Sequence, residues 1–219
     1  LRLSIELMSE VASGRVCDLV LREIGLDKSA LRVPGQFVPY ALQAALIEGV
    51  ARRIGVNHLG ALAASRYRYD ELGPYAGYVL AAPDLDAAIR RGTRALPYLQ
   101  PGSAVTIRHD RDFVLLGFST GIETVVGARQ VEEGMPLVLC HLVRSFLGSE
   151  WRPVHVELPH SEGGREADLA GVYDGSEIHF GAPAPAIAIP FRDLAARNPD
   201  PASTRHPAVL SDVRAMVRS

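Results

Sequence analysis

The sequence predicts an α+β fold, a single domain with a mainly antiparallel sheet and several packed helices. Three observations support this prediction. In the first half of the 219 residues, apolar side chains recur every three or four positions, as they do in helices. Two segments rich in β-branched and apolar residues follow Pro101-Gly102. Another long helical pattern then precedes three short strand-like segments, and this order is typical of α+β domains.

The first half of the chain is predicted to form four helices. Apolar periodicity places them at residues 3–24, 36–55, 57–66 and 84–99. Asp84 is a typical N-cap for the last of these helices, because its carboxylate can accept a hydrogen bond from a free amide of the first turn. Residues 70–78 contain Gly73, Pro74 and Gly77, and are therefore predicted to form a turn or loop.

The second half is predicted to form five short strands. They are expected at residues 103–109, 112–119, 153–158, 176–180 and 186–191. The first two flank a short charged tip and are predicted to form a hairpin. The third alternates in polarity, which predicts one face with Val154, Val156 and Leu158 and an opposite face with His155 and Glu157.

A long helix is expected over about 123–148, between the hairpin and the last strands. Its C-terminal half is apolar on more than one side, through Leu137, Val138, Leu139, Leu142, Val143, Phe146 and Leu147. A helix that is apolar all round must be buried on all sides. The sheet can cover one side, and either a partner subunit or other helices of the same domain must cover the rest.

Two polar stretches with glycine or proline divide the second half of the chain. Residues 160–168 are predicted to form a surface loop, and residues 197–207 a linker that leaves the domain. Apolar residues between Val209 and Val217 then predict the start of an amphipathic helix. We therefore expect one domain over residues 1–196, followed over 197–219 by a linker and the start of a helix that leads to a further domain.

The charge balance argues against DNA binding by this chain alone. Its 23 Lys and Arg against 25 Asp and Glu give a formal net charge of −2. Domains that bind nucleic acid by themselves usually have a basic excess, which neutralises phosphates. The content of 47% hydrophobic and 22% charged residues is close to that of an average globular protein, which excludes wholesale disorder.

Cysteine placement and the lack of membrane signals predict a cytoplasmic protein. Cys17 and Cys140 lie far apart within apolar helical patterns, which favours buried free thiols over a disulfide and hence a reducing compartment. The sequence shows no signal peptide. It also has no apolar stretch of roughly 20 residues, the length that a membrane-spanning helix needs, so no membrane partner is expected.

A search for catalytic, cofactor and metal motifs finds none that is specific. The sequence has no P-loop, no Gly-x-Gly-x-x-Gly and no Gly-x-Ser-x-Gly nucleophile elbow. Its seven histidines lack the spacing of a metal site. His141 and Ser145 lie one turn apart on a helix, but no third group is evident to orient them for catalysis. We therefore expect no metal, no cofactor and no enzymatic activity.

One basic cluster leaves a nucleotide-sensing alternative open. Residues 90–94, Arg-Arg-Gly-Thr-Arg, contain Arg-x-x-x-Arg, and residues 174–179 are similar to the Asp-x-Ser-x-x-Gly of PilZ-type cyclic-dinucleotide sensors. His179 replaces the final glycine of that pattern. A solvated helix face with surface arginines is the simpler interpretation, and a cyclic-dinucleotide sensor is the alternative.

A series of short phrases, taken in order, resembles a known family. The phrases are Gly25-Leu26-Asp27, Val33-Pro34, His58-Leu59-Gly60-Ala61, Gly73-Pro74-Tyr75-Ala76-Gly77-Tyr78-Val79, Pro83-Asp84-Leu85-Asp86-Ala87-Ala88-Ile89 followed by Arg94, Trp151-Arg152-Pro153-Val154-His155-Val156 and Ile178-His179-Phe180. Over residues 14–195 the chain resembles the N-terminal arabinose-binding-like domain of AraC-type transcription regulators. It departs from that family after the strand at 153–158, where His-x-x-Pro is replaced by His160-Ser161-Glu162-Gly163.

The resemblance implies a domain that binds a small effector, dimerises and acts on a DNA-binding domain. The helix-turn-helix motifs that read promoter DNA in such regulators are absent from this chain. A symmetric homodimer suits such readers, because paired half-sites mirror the twofold symmetry of the protein. The helix at 123–148 is the leading candidate for the dimer contact. A dimerisation module that binds no ligand is the main alternative.

The sequence does not identify the effector, but it offers candidate pocket residues. They are Tyr78, Arg94, Tyr98, Trp151 and His155. Aromatic side chains combine a large apolar area with a polar tip, and an arginine offers a planar fork for a carboxylate or phosphate. The alternative for each of them is a purely structural role, in the core or on a solvated surface.

Overall fold

The computed structural model describes residues 2–26, 38–163 and 166–200. In these residues the helices are α1 Arg2–Val11, α2 Gly14–Glu23, α3 Tyr40–Ile54, α4 Leu59–Ser65, α5 Pro74–Leu80, α6 Leu85–Leu99, α7 Ala128–Leu147 and α8 Glu166–Val172. The strands are β1 Ala104–His109, β2 Phe113–Ser119, β3 Val156–Leu158, β4 Ile178–Phe180 and β5 Ala186–Pro190. The helices pack against one mostly antiparallel sheet, which confirms the predicted α+β class.

The predicted helix at 3–24 is two helices. The chain breaks between α1 and α2 at Ser13, whose backbone is extended, with φ −61° and ψ 144°. The next prediction, a helix at 36–55, is observed as α3 from Tyr40, while the predicted Pro34-Gly35 break lies outside the described residues. The helix capped by Asp84 is confirmed, since the Asp84 carboxylate accepts a hydrogen bond from the amide of Ala87.

Two segments predicted as loops contain helices. Residues 70–78 form the end of a short 3-10 turn, Tyr69–Leu72, and most of α5. Pro74 begins α5, where its fixed φ and missing N–H are compatible with a helix start. The predicted surface loop at 160–168 gives way to α8 at Glu166. Glycine and proline mark these boundaries correctly, but short helices between them lack a long enough apolar repeat to be recognised.

The sheet has the strand order β1-β2-β5-β3-β4. β1 and β2 form the predicted hairpin, with Ala104 opposite Ser119 and His109 opposite Val114. β5 returns between β2 and β3 and pairs antiparallel with both. β3 and β4 are parallel. The last strand of the described residues thus lies in the centre of the sheet, an order that strand patterns do not reveal.

Burial in segment 153–158 does not follow its alternation in polarity. Val156 and Leu158 are fully buried, but Val154 is 49% exposed because it precedes β3. His155 and Glu157, predicted on the opposite face, are also buried. Helix α7 packs against β3, and His155 and Glu157 are contacted by Phe113, His179 and Arg108.

The described residues form two hydrophobic clusters. The first packs α1, α2 and α3 together and includes Met8, Cys17, Val20, Leu46 and Val50. The second packs α4 to α8 against the sheet and includes Leu85, Leu116, Val143, Val156 and Ile187. Met135 of α7 contacts both clusters. α7 is therefore the element that joins the N-terminal helices to the sheet.

The C-terminal half of α7 is buried within a single chain. Leu137, Leu139, Leu142, Val143 and Phe146 belong to the second cluster and are at most 7% exposed. The all-round apolar pattern of this helix is thus explained by other elements of the same domain. The prediction that the helix at 123–148 forms the dimer contact was based on these apolar residues. Because they are core residues of one chain, they do not support that prediction.

Two glycines allow α4 to cross α7 closely. A Cβ on Gly60 would overlap the backbone carbonyl of Gln130, and a Cβ on Gly134 would lie 3.0 Å from the carbonyl oxygen of Gly60. Glycine permits this approach because it has no side chain. The crossing holds the start of α4 against the N-terminal half of α7.

Cys17 and Cys140 are both free and buried, as predicted. They belong to different hydrophobic clusters. Burial raises the pKa of the Cys140 thiol to about 12, which makes its thiolate rare at neutral pH. In the described part of the chain, no helix combines the length and the apolar character needed to cross a membrane.

The chain leaves the domain along the turn between α5 and α6. The amide of Leu85 donates to the carbonyl of Ala196, and the amide of Asn198 donates to the carbonyl of Pro83. The Asn198 side-chain amide also donates to the carbonyls of Leu80 and Ala82, at 2.7 and 2.8 Å. The predicted linker at 197–207 is therefore tied to the domain at Asn198. Its residues from 201 onward, and the helix predicted after them, lie outside the described residues.

Candidate functional site

Polar side chains enter the interior at the N-terminal half of α7. Gln130, Glu132 and Glu133 are only 3%, 8% and 0% exposed. This part of the helix lies between the two hydrophobic clusters, so these polar side chains have apolar surroundings. Charged residues are almost never fully buried unless they are paired. We call Arg129, Glu132, Glu133 and His160 the α7 polar group.

Gln130 holds the elements around this group together. Its side-chain amide donates to the carbonyl of Asn57 at 2.9 Å and to a carboxylate oxygen of Glu48 at 3.2 Å. Its side-chain oxygen accepts a hydrogen bond from the amide of Gly60 at 2.9 Å. Because Gln130 is fully engaged between α3, α4 and α7, its role is structural.

Glu133 is the centre of the α7 polar group. Arg129 Nε, one turn earlier, donates to Glu133 Oε1 at 2.9 Å. His160 Nε2 lies 3.2 Å from the same oxygen. The Tyr173 hydroxyl donates to the backbone carbonyl of Glu133 at 2.5 Å. A buried carboxylate is tolerated when it is paired and hydrogen-bonded, and Arg129 supplies that pairing for Glu133.

Several buried polar atoms near this region have no hydrogen-bond partner among the protein atoms described. They are His58 Nδ1, Arg129 Nη2, His160 Nε2 and Ser176 Oγ. His160 Nε2 is close to Glu133 but is not aligned for a hydrogen bond. His58 Nδ1 lies 3.9 Å from Asp168 Oδ2, which is a weak ion-pair distance. Two of these unpartnered nitrogens, on Arg129 and His160, belong to the same polar group.

The pKa shifts in the α7 polar group follow from burial. Burial raises the pKa of Glu132, Glu123 and Glu133 act in the same direction, and His160 and Arg129 oppose them. Burial also raises the pKa of Tyr173 well above its usual value, so its phenol remains a hydrogen-bond donor. The group thus combines a fixed cation, a buried carboxylate and a neighbouring carboxyl shifted toward its neutral form.

A second polar group lies on the sheet face opposite α7. Arg108 of β1 forms an ion pair with the buried Glu157 of β3. The rings of His155 and His179 stack with 4.1 Å between their centroids, and Phe113 meets His155 edge-on at 5.1 Å. Burial, followed by the nearby His179, lowers the pKa of His155. These side chains largely satisfy one another.

The structure places the five predicted pocket residues in different surroundings. Tyr78 and Tyr98 pack against the second cluster from α5 and α6. The guanidinium of Arg91 lies 5.3 Å from the centre of the Tyr78 ring, whereas Arg94 is exposed on α6. Trp151 also borders that cluster, and its indole N–H donates to Asp193 at 2.8 Å. His155 belongs to the sheet-face group.

The α7 polar group is not among the candidate pocket residues predicted from the sequence. One signal was available: Glu132-Glu133 interrupts a long apolar helix, and Arg129 lies one turn before Glu133, where an ion pair can form. His160 carried no comparable signal, since its approach to Glu133 depends on how the chain returns after β3. In the residues that the structure covers, no cluster of three or more His, Cys, Asp or Glu is arranged to hold a metal ion.

Comparisons with known proteins agree on the type of fold. A family model described as the arabinose-binding domain of AraC transcription regulators, N-terminal, matches residues 14–198. The crystal structure of the transcriptional regulator CdpR from Pseudomonas aeruginosa is similar, with a TM-score of 0.51 and 15% sequence identity. The match covers 87% of this chain and 59% of the CdpR chain. No curated protein matches the sequence.

Proposed function

The chain belongs to the family of arabinose-binding domains found at the N-terminus of AraC transcription regulators, and we propose that it senses a small effector for a DNA-binding domain of the same regulator. The α7 polar group is the observation that supports a ligand-binding role. It places unused hydrogen-bond donors in the interior, at the helix that joins both hydrophobic clusters. A ligand bound there contacts the element best placed to change the packing of the whole domain.

The anchored C-terminal segment supports a role in signal transmission. Asn198 ties the departing chain to the carbonyls that end α5. Asp84, which caps α6, lies opposite Arg197 in an isolated β-bridge. A shift of α5 and α6 on effector binding would therefore change the position of the chain that follows residue 200. We propose that this coupling controls DNA binding by a helix-turn-helix domain in the regulator.

We further propose that the domain acts as a homodimer. Twofold symmetry would place two DNA-binding domains side by side, which suits paired half-sites. The interface then lies outside the apolar residues of α7, since these are buried in one chain. With a net charge of −2, the chain alone is expected not to bind promoter DNA at physiological salt.

His141 and Ser145 make structural contacts with the backbone. Ser145 Oγ donates to the backbone carbonyl of His141, and His141 Nε2 contacts the carbonyl of Ala64 at 3.1 Å. The two side chains are thus directed at the backbone and not at each other. Burial also lowers the pKa of His141. The ligand-free dimerisation module remains the second candidate.

A thermal-shift screen with sugars, amino acids, fatty acids and cyclic nucleotides tests the sensing role. A ligand at 100 times its Kd should stabilise the chain by about 2.7 kcal/mol, which is easily seen as a rise in Tm. Sedimentation of the chain at tens of micromolar, with and without that ligand, tests association. A monomer that no class of compound stabilises would contradict both the sensor and the dimer.

Asn198→Ala tests the anchored exit. We expect faster tryptic cleavage after Arg197, because the substitution removes the hydrogen bonds to the carbonyls of Leu80 and Ala82. The loss in stability should be small, about 1–2 kcal/mol. The sites of cleavage and their rates are read by mass spectrometry. Cleavage at Arg197 as slow as in the wild-type chain would mean that the anchor does not depend on this side chain.

A further inference from the structure

The guanidinium of Arg129 is only partly engaged. Its Nε donates to Glu133, but its Nη2 is buried and has no hydrogen-bond partner among the protein atoms described. His160 Nε2, which lies 3.2 Å from Glu133 Oε1, is also buried without a hydrogen-bond partner. Buried donors in native proteins almost always have partners, so two adjacent exceptions on one polar group call for an explanation.

We propose that a carboxylate of the effector binds at the α7 polar group and accepts hydrogen bonds from Arg129 Nη2 and His160 Nε2. This inference rests on the proposed sensing function and adds the chemical class of the ligand. An arginine is suited to the role because its planar fork can pair with one carboxylate while its Nε remains on another. His160 Nδ1 lies 3.1 Å from the carbonyl oxygen of Ser161, which can only accept, so Nδ1 carries a hydrogen. Nε2 is therefore the second donor in the doubly protonated ring, in which both nitrogens donate.

The charges around this position allow an anion to approach. The Glu133 carboxylate already pairs with Arg129, and His160 Nε2 lies 3.2 Å from it. The raised pKa of Glu132 moves that carboxyl toward its neutral form, which weakens its repulsion of an incoming carboxylate. The Arg129 side chain as a whole is 37% exposed, so the group borders solvent although Nη2 itself is buried.

The test compares carboxylates with their uncharged amides. The probes are acetate, succinate, benzoate and octanoate, each paired with the corresponding primary amide. Thermal shift locates compounds that stabilise the 219-residue chain, and calorimetry gives their Kd. We expect at least one carboxylate to bind, and its amide to bind at least tenfold more weakly, since the amide lacks the negative charge that strengthens bonds to guanidinium.

Arg129→Lys separates the ligand contact from the structural ion pair. Lysine keeps a cation near Glu133 but removes Nη2, so the fold should be retained while the Kd of the carboxylate rises at least tenfold. Arg90→Lys is the matched control, because Arg90 also pairs with an acidic residue four positions away, Asp86, but on an exposed face of α6. It should leave the Kd within twofold. His160→Gln provides a second test of the same site, with circular dichroism confirming that each variant is folded.

The outcomes separate this inference from the proposed function. Binding of a carboxylate that is weakened by Arg129→Lys, and not by Arg90→Lys, supports both. If a neutral sugar or another uncharged compound binds instead, unaffected by Arg129→Lys and His160→Gln, the carboxylate assignment is wrong and the sensing function stands. If no carboxylate binds, the inference is overturned. If no compound of any class binds, the sensing function fails with it.

Discussion

Both halves of α7 bury side chains in the interior, but these side chains differ in kind. The N-terminal half has Gln130, Glu132 and Glu133 in the interior, whereas the C-terminal half has Val143 and Phe146 there. The apolar half needs only close packing to be stable. The polar half is stable only where each buried group finds a partner. Where the chain does not supply a partner for a buried polar group, a ligand can supply it.

This difference separates two roles along one helix. The C-terminal half packs against β2, β3 and β5 and stabilises the domain. The N-terminal half contacts α3 and α4 through Gln130 and contacts His160 through Glu133. Substitutions in the first region should therefore affect folding most strongly, and those in the second should affect ligand binding and the pH dependence of stability.

Val143→Glu should have the largest effect. Val143 is fully buried, so the substitution puts a charge into the apolar half of α7 with no partner. We expect a loss of about 4 kcal/mol or more, enough to unfold the chain. Val126→Glu, at a residue 63% exposed just before the helix, should have almost no effect. Chemical denaturation and sedimentation measure both variants. A Val143→Glu chain that stays folded but no longer dimerises would place the C-terminal half of α7 at an interface. It would contradict the view that this half is part of the core.

Gly60→Ala should cause the next largest loss of stability. It tests the contact of α4 with the polar, N-terminal half of α7. The new Cβ would overlap the backbone carbonyl of Gln130, which cannot move without displacing α4 from α7. We expect a loss of about 2–3 kcal/mol in urea denaturation, typical of an overpacked contact. Gly171→Ala is the control, since a Cβ there meets nothing within 4 Å and lies in α8. It should stabilise the chain by about 0.5–1 kcal/mol. Equal effects of the two substitutions would show that the crossing is not close.

Glu132→Gln should have the smallest effect, and a pH-dependent one. The pKa of Glu132 is raised in the folded chain, so its carboxyl binds a proton more tightly there than when unfolded. Its contribution to stability is therefore complete below the ordinary value of 4.5 and is lost as pH rises through the raised pKa. Glutamine should remove that dependence and stabilise the chain at pH 7 by about 0.5 kcal/mol or less. Urea denaturation from pH 4 to pH 8 measures it, and parallel curves for the two proteins would disprove the assignment.

Local patterns in the sequence were enough to predict much of the fold. The period of apolar residues located α3, α6 and α7, because a helix buries one side at a spacing that depends only on its own geometry. The hairpin of β1 and β2 was equally local, since its strands adjoin in the chain. Asp84 as a cap and the two buried cysteines were predicted correctly for the same reason.

Local patterns were insufficient where burial depends on distant neighbours. His155 and Glu157 have the spacing of a solvent-facing side of a strand, yet they are buried by Arg108, Phe113 and His179 from other strands. The five predicted pocket residues were chosen by side-chain chemistry, and whether any of them binds a ligand remains a prediction. Arg129 and Glu133 could have been paired from their spacing on a helix, but their burial depends on α3, α4 and the chain after β3.

The sequence alone thus determined the helices, the hairpin, the helix cap and the family resemblance. Neighbouring residues set the backbone preferences and the apolar period that define these features. The α7 polar group arises differently. It exists because Gly60 lets α4 approach α7, and because the turn after β3 brings His160 to within 3.2 Å of Glu133. Glu133 and His160 are 27 positions apart in sequence and come into contact only because the chain returns to α7 after β3. Local preferences along the chain cannot specify such a contact, and tertiary packing decides it.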